Sequence, residues 1–539
     1  MYLFENPVLQ RELLVNLRMT RAFVLLACYL GLLAIVVLLA WPEQQRLDLT
    51  NPEAARRLVN LVFLGQYLLA SLMSPSFAAG AITGEKERKS YEMLLASPLR
   101  PGAIVLGKLL ASLAHLLLLI VASLPIVMLC LPLGGVSLYE ALAAYLALLL
   151  SVITFGMISL AASSYFRRTS AALLVSYLVI LPLALAGAWL WIAMSGRGEL
   201  RLAVTVTVLP ALCAAVCGWL FYRTSARLLH PSDVGSEGKE VVDLEAEARE
   251  AVGLVIQSDQ FPDWLFAPRK RDDLLADGAN PVFDKEMRSE IFSQGTLMLR
   301  VVIQVSMVVA IPLMAICLYA WPELAPWYIG YVVLFNMLVG PVFSAGSITG
   351  ERERETLELL LTTALSSGQI LWAKLFSGLR VSSVLTMFLL WPLVLAVVMV
   401  NTYWSNLLSV VGYFILVLVV CLTTATVALF SSVMFRKTSV SLTTSYLAIA
   451  LLFTLPLAVN YFARTFFASR DAAFWVSQLS FISPFAVAFH LPIDMMMPGA
   501  PVAVIDWAQV ALFLGFYLLL NGALLATMGW LFNVRWRME

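Results

Sequence analysis

Gly84-Glu85-Lys86-Glu87-Arg88-Lys89-Ser90-Tyr91-Glu92-Met93-Leu94-Leu95 returns later in the chain as Gly350-Glu351-Arg352-Glu353-Arg354-Glu355-Thr356-Leu357-Glu358-Leu359-Leu360-Leu361. Each copy is a dense charge cluster set between two long apolar runs. The correspondence continues outward from this elbow. Asn6-Pro7-Val8-Leu9-Gln10-Arg11-Glu12 pairs with Asn280-Pro281-Val282-Phe283-Asp284-Lys285-Glu286, and Phe166-Arg167-Arg168-Thr169-Ser170 pairs with Phe435-Arg436-Lys437-Thr438-Ser439. Ser176-Tyr177 likewise returns as Ser445-Tyr446. Matches in the same order at nearly constant separation mark a duplication. The chain divides into a first repeat over 1–227, a polar acidic linker over 228–279 and a second repeat over 280–539.

With 61% hydrophobic and 13% charged residues, the composition is that of a membrane protein and excludes an ordinary soluble domain. A run of about 20 apolar residues crosses the hydrocarbon core as a helix. Such runs fall near 20–41, 58–82, 103–130, 139–166, 170–194 and 200–222, then near 297–320, 326–349, 369–400, 405–435, 439–463 and 505–532. The expected fold is therefore an all-α polytopic membrane protein of about twelve transmembrane helices in two parallel six-helix repeats. Several runs exceed a span, which predicts tilt, extension past the headgroups or kinks at Pro125, Pro182, Pro392 or Pro456.

An even number of spans per repeat makes both halves enter from one side. If the N-terminus is cytoplasmic, most of the 35 basic residues fall on the cytoplasmic side. Arg46, Arg56, Arg57, Arg197, Arg201, Arg464 and Arg470 fall on the other. That bias predicts both termini and both elbows in the cytoplasm.

Each repeat opens with a short amphipathic stretch. Leu9, Leu13 and Leu17 are spaced four apart, with Phe283, Met287 and Ile291 at the matching positions. This pattern predicts a helix lying in the membrane interface ahead of the first span, with Arg11, Glu12, Lys285 and Glu286 on its polar side. An ordinary charged flank is the plainer reading. The early charges Glu5, Arg11 and Glu12 exclude a cleaved signal peptide core.

No catalytic constellation is present. Cys28, Cys130, Cys213, Cys217, Cys317 and Cys421 lie in or beside apolar spans without metal-site or disulfide spacing and read as packing residues. His115, His230 and His490 do not cluster. Gly102 to Gly107-Lys108 mimics the start of a phosphate-binding loop, but Leu109 stands where Ser or Thr is needed, and the second repeat has Ala373-Lys374 instead. Lys108 and Lys374 read as residues snorkelling to the cytoplasmic boundary.

The elbow after the second span of a six-span unit, followed by Ser97-Pro98-Leu99 and then Lys108, resembles the membrane subunit of an ABC transporter of the ABC-2 permease type. The Asn-Pro-Val start is similar to that family's interface helix. The second copy departs from the pattern with Thr363-Ala364-Leu365. The resemblance covers both repeats, and it implies a permease driven by separate cytosolic ATPase subunits that hold ATP and magnesium and push on the elbows. Since family members usually carry one six-span unit and dimerise, a fused pair implies two ATPase copies or domains per chain. It also implies an exporter, with no cofactor of its own, alongside membrane lipids and further periplasmic or membrane subunits as possible partners; nothing points to nucleic acid.

The elbows suit that task. Ser90 and Thr356 are placed to cap a short helix with Glu92 and Glu358 in its first turn. Glu85, Glu87 and Arg88, with Glu351, Glu353 and Arg354, offer charges to a partner, and Leu94/Leu95 and Leu360/Leu361 an apolar surface. The plainer reading is that these charges solvate a loop and enforce topology, although topology needs only Lys and Arg.

Twelve spans in two parallel halves is also the plan of the major facilitator carriers. Those carriers place ionisable residues within their spans, whereas here the span interiors are almost free of them, and His115 and Arg380 lie close to the cytoplasmic ends. The second half alone has a long loop before its last span, with Ser483-Pro484-Phe485, His490, Asp494 and Met495-Met496-Met497. By resemblance this predicts an outer gate formed by Pro484, Phe485 and His490. An uncharged interior suits lipid-like, amphipathic or uncharged cargo, and the whole fits the cytoplasmic membrane of a prokaryote.

Overall fold

The computed structural model describes residues 6–17, 20–39, 53–87, 90–128, 137–166, 169–194, 197–229, 280–288, 296–353, 355–466, 476–493 and 505–535. The elements are all helical among these residues, and the chain divides into two compact units, Met1–Val241 and Val242–Glu539. Leu228 and Leu229 excepted, the linker 228–279 lies outside the described residues.

The first unit runs α1 (Pro7–Leu17), α2 (Thr20–Leu39), α3 (Glu53–Ala78), α4 (Gly80–Glu87), α5 (Tyr91–Leu95), α6 (Pro101–Met128), α7 (Leu138–Tyr165), α8 (Thr169–Ala193), α9 (Gly198–Ala203) and α10 (Leu209–Leu229). A π-helical turn, Val204–Val208, joins the last two. The second runs α11 (Pro281–Arg288), α12 (Thr296–Met314), α13 (Ala325–Ser344), α14 (Thr349–Glu353), α15 (Leu357–Leu361), α16 (Ser367–Met399), α17 (Asn401–Ser405), α18 (Leu407–Met434), α19 (Thr438–Phe466), α20 (Pro484–Phe489) and α21 (Trp507–Arg535). The order α1 to α8 repeats as α11 to α19, with α17 as an added turn.

Ten helices among the described residues are long and apolar enough to cross a membrane. At the places of the other two expected spans stand the shorter apolar helices Tyr29–Leu38 and Ser306–Ala320. Pro125, Pro182, Pro392 and Pro456 all lie inside continuous helices. The most enclosed span, Pro322–Glu353, is 83% buried over its apolar window and forms the centre of its unit. There Asn336, fully buried, donates to Ser382 Oγ (3.1 Å) and Thr386 Oγ1 (3.0 Å) and accepts from Thr424 Oγ1 (2.8 Å). Its amide is thus paired across three helices, as polar groups in a membrane interior require.

The elbow begins with a break that the sequence pattern does not announce. Pro75 and Pro341 stand one turn before the ends of α3 and α13. Just beyond, Ser163 Oγ accepts from Ile82 N (3.1 Å) and Thr83 N (2.9 Å). In the second unit Ser432 Oγ accepts from Ile348 N and Thr349 N, both at 3.0 Å. The Thr83 and Thr349 hydroxyls donate to Ala79 O (2.8 Å) and Ala345 O (3.0 Å). A hydroxyl inserted into the backbone ladder redirects the helix without leaving its polar groups unmet. Ile82 and Ile348 are fully buried, so water cannot replace the serine. Ser163→Ala and Ser432→Ala are each expected to lower stability by about 1–3 kcal/mol. Ser112→Ala, whose hydroxyl bonds only to Leu109 O of its own helix, is expected to be near neutral in the same thermal unfolding assay.

Candidate functional site

Each elbow is tied to the start of its repeat by one buried lysine. Lys108 Nζ, on the second turn of α6, lies 2.8 Å from Glu12 Oε1 of α1 and 3.2 Å from Glu85 Oε1 of α4. Lys374 Nζ, at the matching place on α16, lies 2.7 Å from Glu286 Oε1 of α11 and 3.6 Å from Glu351 Oε1 of α14, and donates to Ser347 O at 2.7 Å. Both lysines are buried, at 2% and 1% exposure. The reading of these residues as snorkelling cations is therefore corrected: flanking carboxylates, brought in from two other helices, hold each ammonium inside the protein. Such a charge is tolerated only when paired.

The short opening helices are anchored by asparagine. Asn6 Oδ1 accepts from Val8 N (3.1 Å) while its Nδ2 donates to Ala103 O (2.6 Å). Asn280 Oδ1 accepts from Val282 N (3.0 Å) and its Nδ2 donates to Gln369 O (2.9 Å). Asn thus caps a helix whose next residue is proline, a favoured first helical position. A Cβ on Gly107 would lie 2.8 Å from Asn6 Nδ2, so the glycine of the phosphate-loop look-alike makes room for this anchor. In α11 the expected apolar face is shifted: Val282 and Glu286 turn inward while Phe283 is 40% exposed. Arg11 is exposed and Lys285 pairs with Glu351 Oε1 at 2.8 Å. Met287's side chain and Ile291 lie outside the described residues.

The remaining elbow charges clip the elbow to the next hairpin. Lys86 Nζ donates to Ser164 O (2.8 Å) and Phe166 O (3.2 Å), the end of α7. Arg352 donates to Phe435 O (2.6 Å) and Val433 O (3.0 Å) at the end of α18. Glu87 accepts from Thr169 N (2.7 Å) and Thr169 Oγ1 (2.9 Å), and Glu353 from Thr438 N (2.9 Å) and Thr438 Oγ1 (2.7 Å). Cations thus sit at helix C-termini and carboxylates at N-termini, matching the helix dipole. The repeated Thr-Ser after the basic pair is the receiver of the elbow carboxylate.

Ser90 and Thr356 occupy the N-cap positions of α5 and α15, but neither side chain caps its helix. Their hydroxyls turn back to the Glu85 and Glu351 carboxylates instead. The chain reverses through Ser90 N→Glu85 O (3.0 Å) and Thr356 N→Glu351 O (2.9 Å). In the second copy Glu355, at φ 57°, takes the left-handed place usually given to glycine. Glu355→Gly is expected to stabilise the second unit by about 0.5–1 kcal/mol, read as a rise in its unfolding midpoint.

Outward from this frame project Glu92 and Met93, and Glu358 and Leu359. Met93 is 79% exposed and Leu359 69%, whereas Leu94, Leu95, Leu360 and Leu361 are half-buried. Leu360 and Leu361 pack on the core formed by Val282, Ile370, Leu429 and Phe532. The apolar tip is thus one residue earlier than the sequence suggested. Arg88 and Arg354 lie outside the described residues.

At the other end of the second unit, the segment around α20 is wedged among the spans. Tyr517 Oη donates to Ile482 O (2.7 Å), Ser483 Oγ to Phe453 O (2.6 Å), Tyr413 Oη to Leu491 O (2.5 Å) and Ser409 Oγ to Pro492 O (2.8 Å). Pro484 is buried, Phe485 and His490 are half-buried, and His490 Nδ1 stands 3.8 Å from Asp506 Oδ2. Asp494 and Met495 to Met497 lie outside the described residues.

The duplicated elbow on an all-helical, membrane-spanning chain agrees with what known proteins reveal. The chain belongs to the ABC-2 family of transporter proteins: the family model described as ABC-2 family transporter protein matches residues 13–198 and 201–533. No curated protein and no solved structure matches the chain. It is a multi-pass membrane protein and a transport subunit of this family, and membership does not favour the major facilitator alternative.

Proposed function

We propose that this chain is a fused permease of an ATP-driven exporter, in which two elbows receive two copies or domains of a cytosolic ABC ATPase. ATP and magnesium belong to that partner, and the permease converts its motion into substrate passage. In this reading the shorter apolar helices complete twelve spans in two parallel repeats, and both termini and both elbows are cytoplasmic in a prokaryotic inner membrane. The repeats are 1–227 and 280–539, with 228–279 as linker.

The observation that carries the reading is the twofold occurrence of one mechanical part. In each unit an exposed acidic and apolar tip, Glu92-Met93 or Glu358-Leu359, is mounted on a frame whose Glu85, Lys86 and Glu87, or Glu351, Arg352 and Glu353, are bonded within the chain. Force on the tip reaches the opening helix through Lys108 or Lys374, and the next hairpin through Glu87 and Lys86 or Glu353 and Arg352. A topology signal would need none of this bonding. The segment carrying Pro484, Phe485 and His490 then serves as a gate at the far end of the second unit.

Cysteine crosslinking in native membranes tests the reading. Met93→Cys and Leu359→Cys are expected to form adducts with an ABC ATPase, while Trp189→Cys, 70% exposed near the far end of α8, is not. Absence of an ATPase adduct at both tips would remove the coupling role.

A further inference from the structure

The first unit holds a cavity of about 120 Å³ at the ends of α3, α7, α8 and α10 remote from the elbow. Phe63, Tyr67, Leu148, Trp191 and Leu209 supply most of its walls. Its aliphatic lining hydroxyls are satisfied within the backbone: Ser151 Oγ donates to Ala147 O (2.7 Å) and Thr205 Oγ1 to Arg201 O (2.8 Å). The interior, apolar apart from the Tyr67 hydroxyl, suits a hydrocarbon chain. One wall is the π-helical turn Val204–Val208, a distortion frequent at functional sites. Leu190 both lines the cavity and is 45% exposed, so the mouth opens at an apolar surface.

Polar groups gather at one end of this apolar space. Trp191 Nε1, in the lining, is buried and has no hydrogen-bond partner. Arg201, 5% exposed, lies over the Trp191 ring at 4.5 Å. Its guanidinium donates to Asn60 Oδ1 at 3.3 Å and reaches Glu140 Oε1 only at 4.0 Å. A guanidinium offers five N–H donors, and those two contacts engage few of them. Glu140 is fixed by its own capping box, Oε2 accepting from Ser137 N at 3.1 Å. A cation and a carboxylate thus stand behind the unmet indole N–H of the lining Trp191.

We propose that the cavity binds a membrane phospholipid, with a segment of one acyl chain inside, its phosphate on Arg201 and Trp191 Nε1, and its cationic headgroup toward Glu140. A neutral lipid leaves Arg201 and Trp191 unmet, and free phosphate leaves the apolar space empty. The paired charges beside Trp191 and the apolar cavity together match a zwitterionic amphiphile. The inference is independent of ATPase docking.

The test uses the full chain in lipid nanodiscs containing phosphatidylethanolamine with a diazirine on one acyl chain, or diacylglycerol with the same chain, followed by photolysis and peptide mapping. Labelling of Phe63, Tyr67 or Leu148 by the phospholipid, about tenfold above diacylglycerol, is the expected result. Ala147→Phe, which fills the cavity, is expected to abolish it. Arg201→Gln is expected to erase the preference while the Ala147→Phe control keeps the test valid should Arg201→Gln misfold. Equal labelling by both lipids in the wild type, or labelling confined to exposed Trp189 and Ile192, would overturn the proposal.

Discussion

Replacing Lys374 by methionine is expected to destabilise the second unit by about 3–5 kcal/mol, the cost of removing the buried cation shared by Glu286 and Glu351, for which the mostly exposed Lys285 beside Glu351 compensates only in part. Glu286 and Glu351 are only 12% and 13% exposed beside it, so water cannot take over the lost interactions. Lys108→Met is expected to cost clearly less, because Glu12 and Glu85 are each 28% exposed and hydrate more readily. The comparison is made by thermal unfolding of the purified chain in one detergent. Neutralising the whole second triad, with Glu286→Gln and Glu351→Gln added to Lys374→Met, is expected to recover much of the loss, since what remains is no longer an unpaired charge. Equal midpoints for the two lysine variants would mean that carboxylate burial does not set the cost.

The second large effect concerns the tips. Met93→Glu combined with Leu359→Glu is expected to reduce ATPase retention by tenfold or more, about 1.4 kcal/mol in binding, without lowering the unfolding temperature. Both side chains are mostly exposed and support no packing, whereas an apolar anchor beside acids is the kind of contact on which interfaces concentrate their energy. Each single variant is expected to remove one ATPase and keep the other. Glu87→Lys with Glu353→Lys behaves differently. Those carboxylates hold the N-termini of α8 and α19, so any loss of ATPase there comes with a less stable chain. A double tip variant that kept its full ATPase complement would place the docking surface elsewhere.

The fold class and the repeat were legible because apolar run length and repeated order survive in a linear sequence. Gly84 to Leu95 and Gly350 to Leu361 could be aligned by eye, and so could Phe166-Arg167-Arg168-Thr169 with Phe435-Arg436-Lys437-Thr438. What each charge touches was not legible, since pairing is set by how the helices return. Lys108 is far from Glu12 in sequence and bonded to it in space. Its retention as Lys374 was the available signal, and a membrane-boundary lysine explained it equally well without the structure. Ser163 and Ser432 gave less warning still: a serine in a span looks like packing until it meets two freed N–H groups. The tip was misplaced by one residue because the paired leucines at 94–95 and 360–361 are the stronger apolar signal. In the second unit the frame packs against them and half-buries them, and leaves Leu359 outside.

The experiment on which the coupling account stands is gentle solubilisation of the chain from its native membrane, with quantitation of the co-purified ABC ATPase per chain. Two ATPase copies per wild-type chain, lost in the Met93→Glu, Leu359→Glu variant with an unchanged unfolding temperature, is the predicted result. A wild-type chain that carries no ATPase under several mild conditions would contradict it, and the elbows would then be structural clips and nothing more.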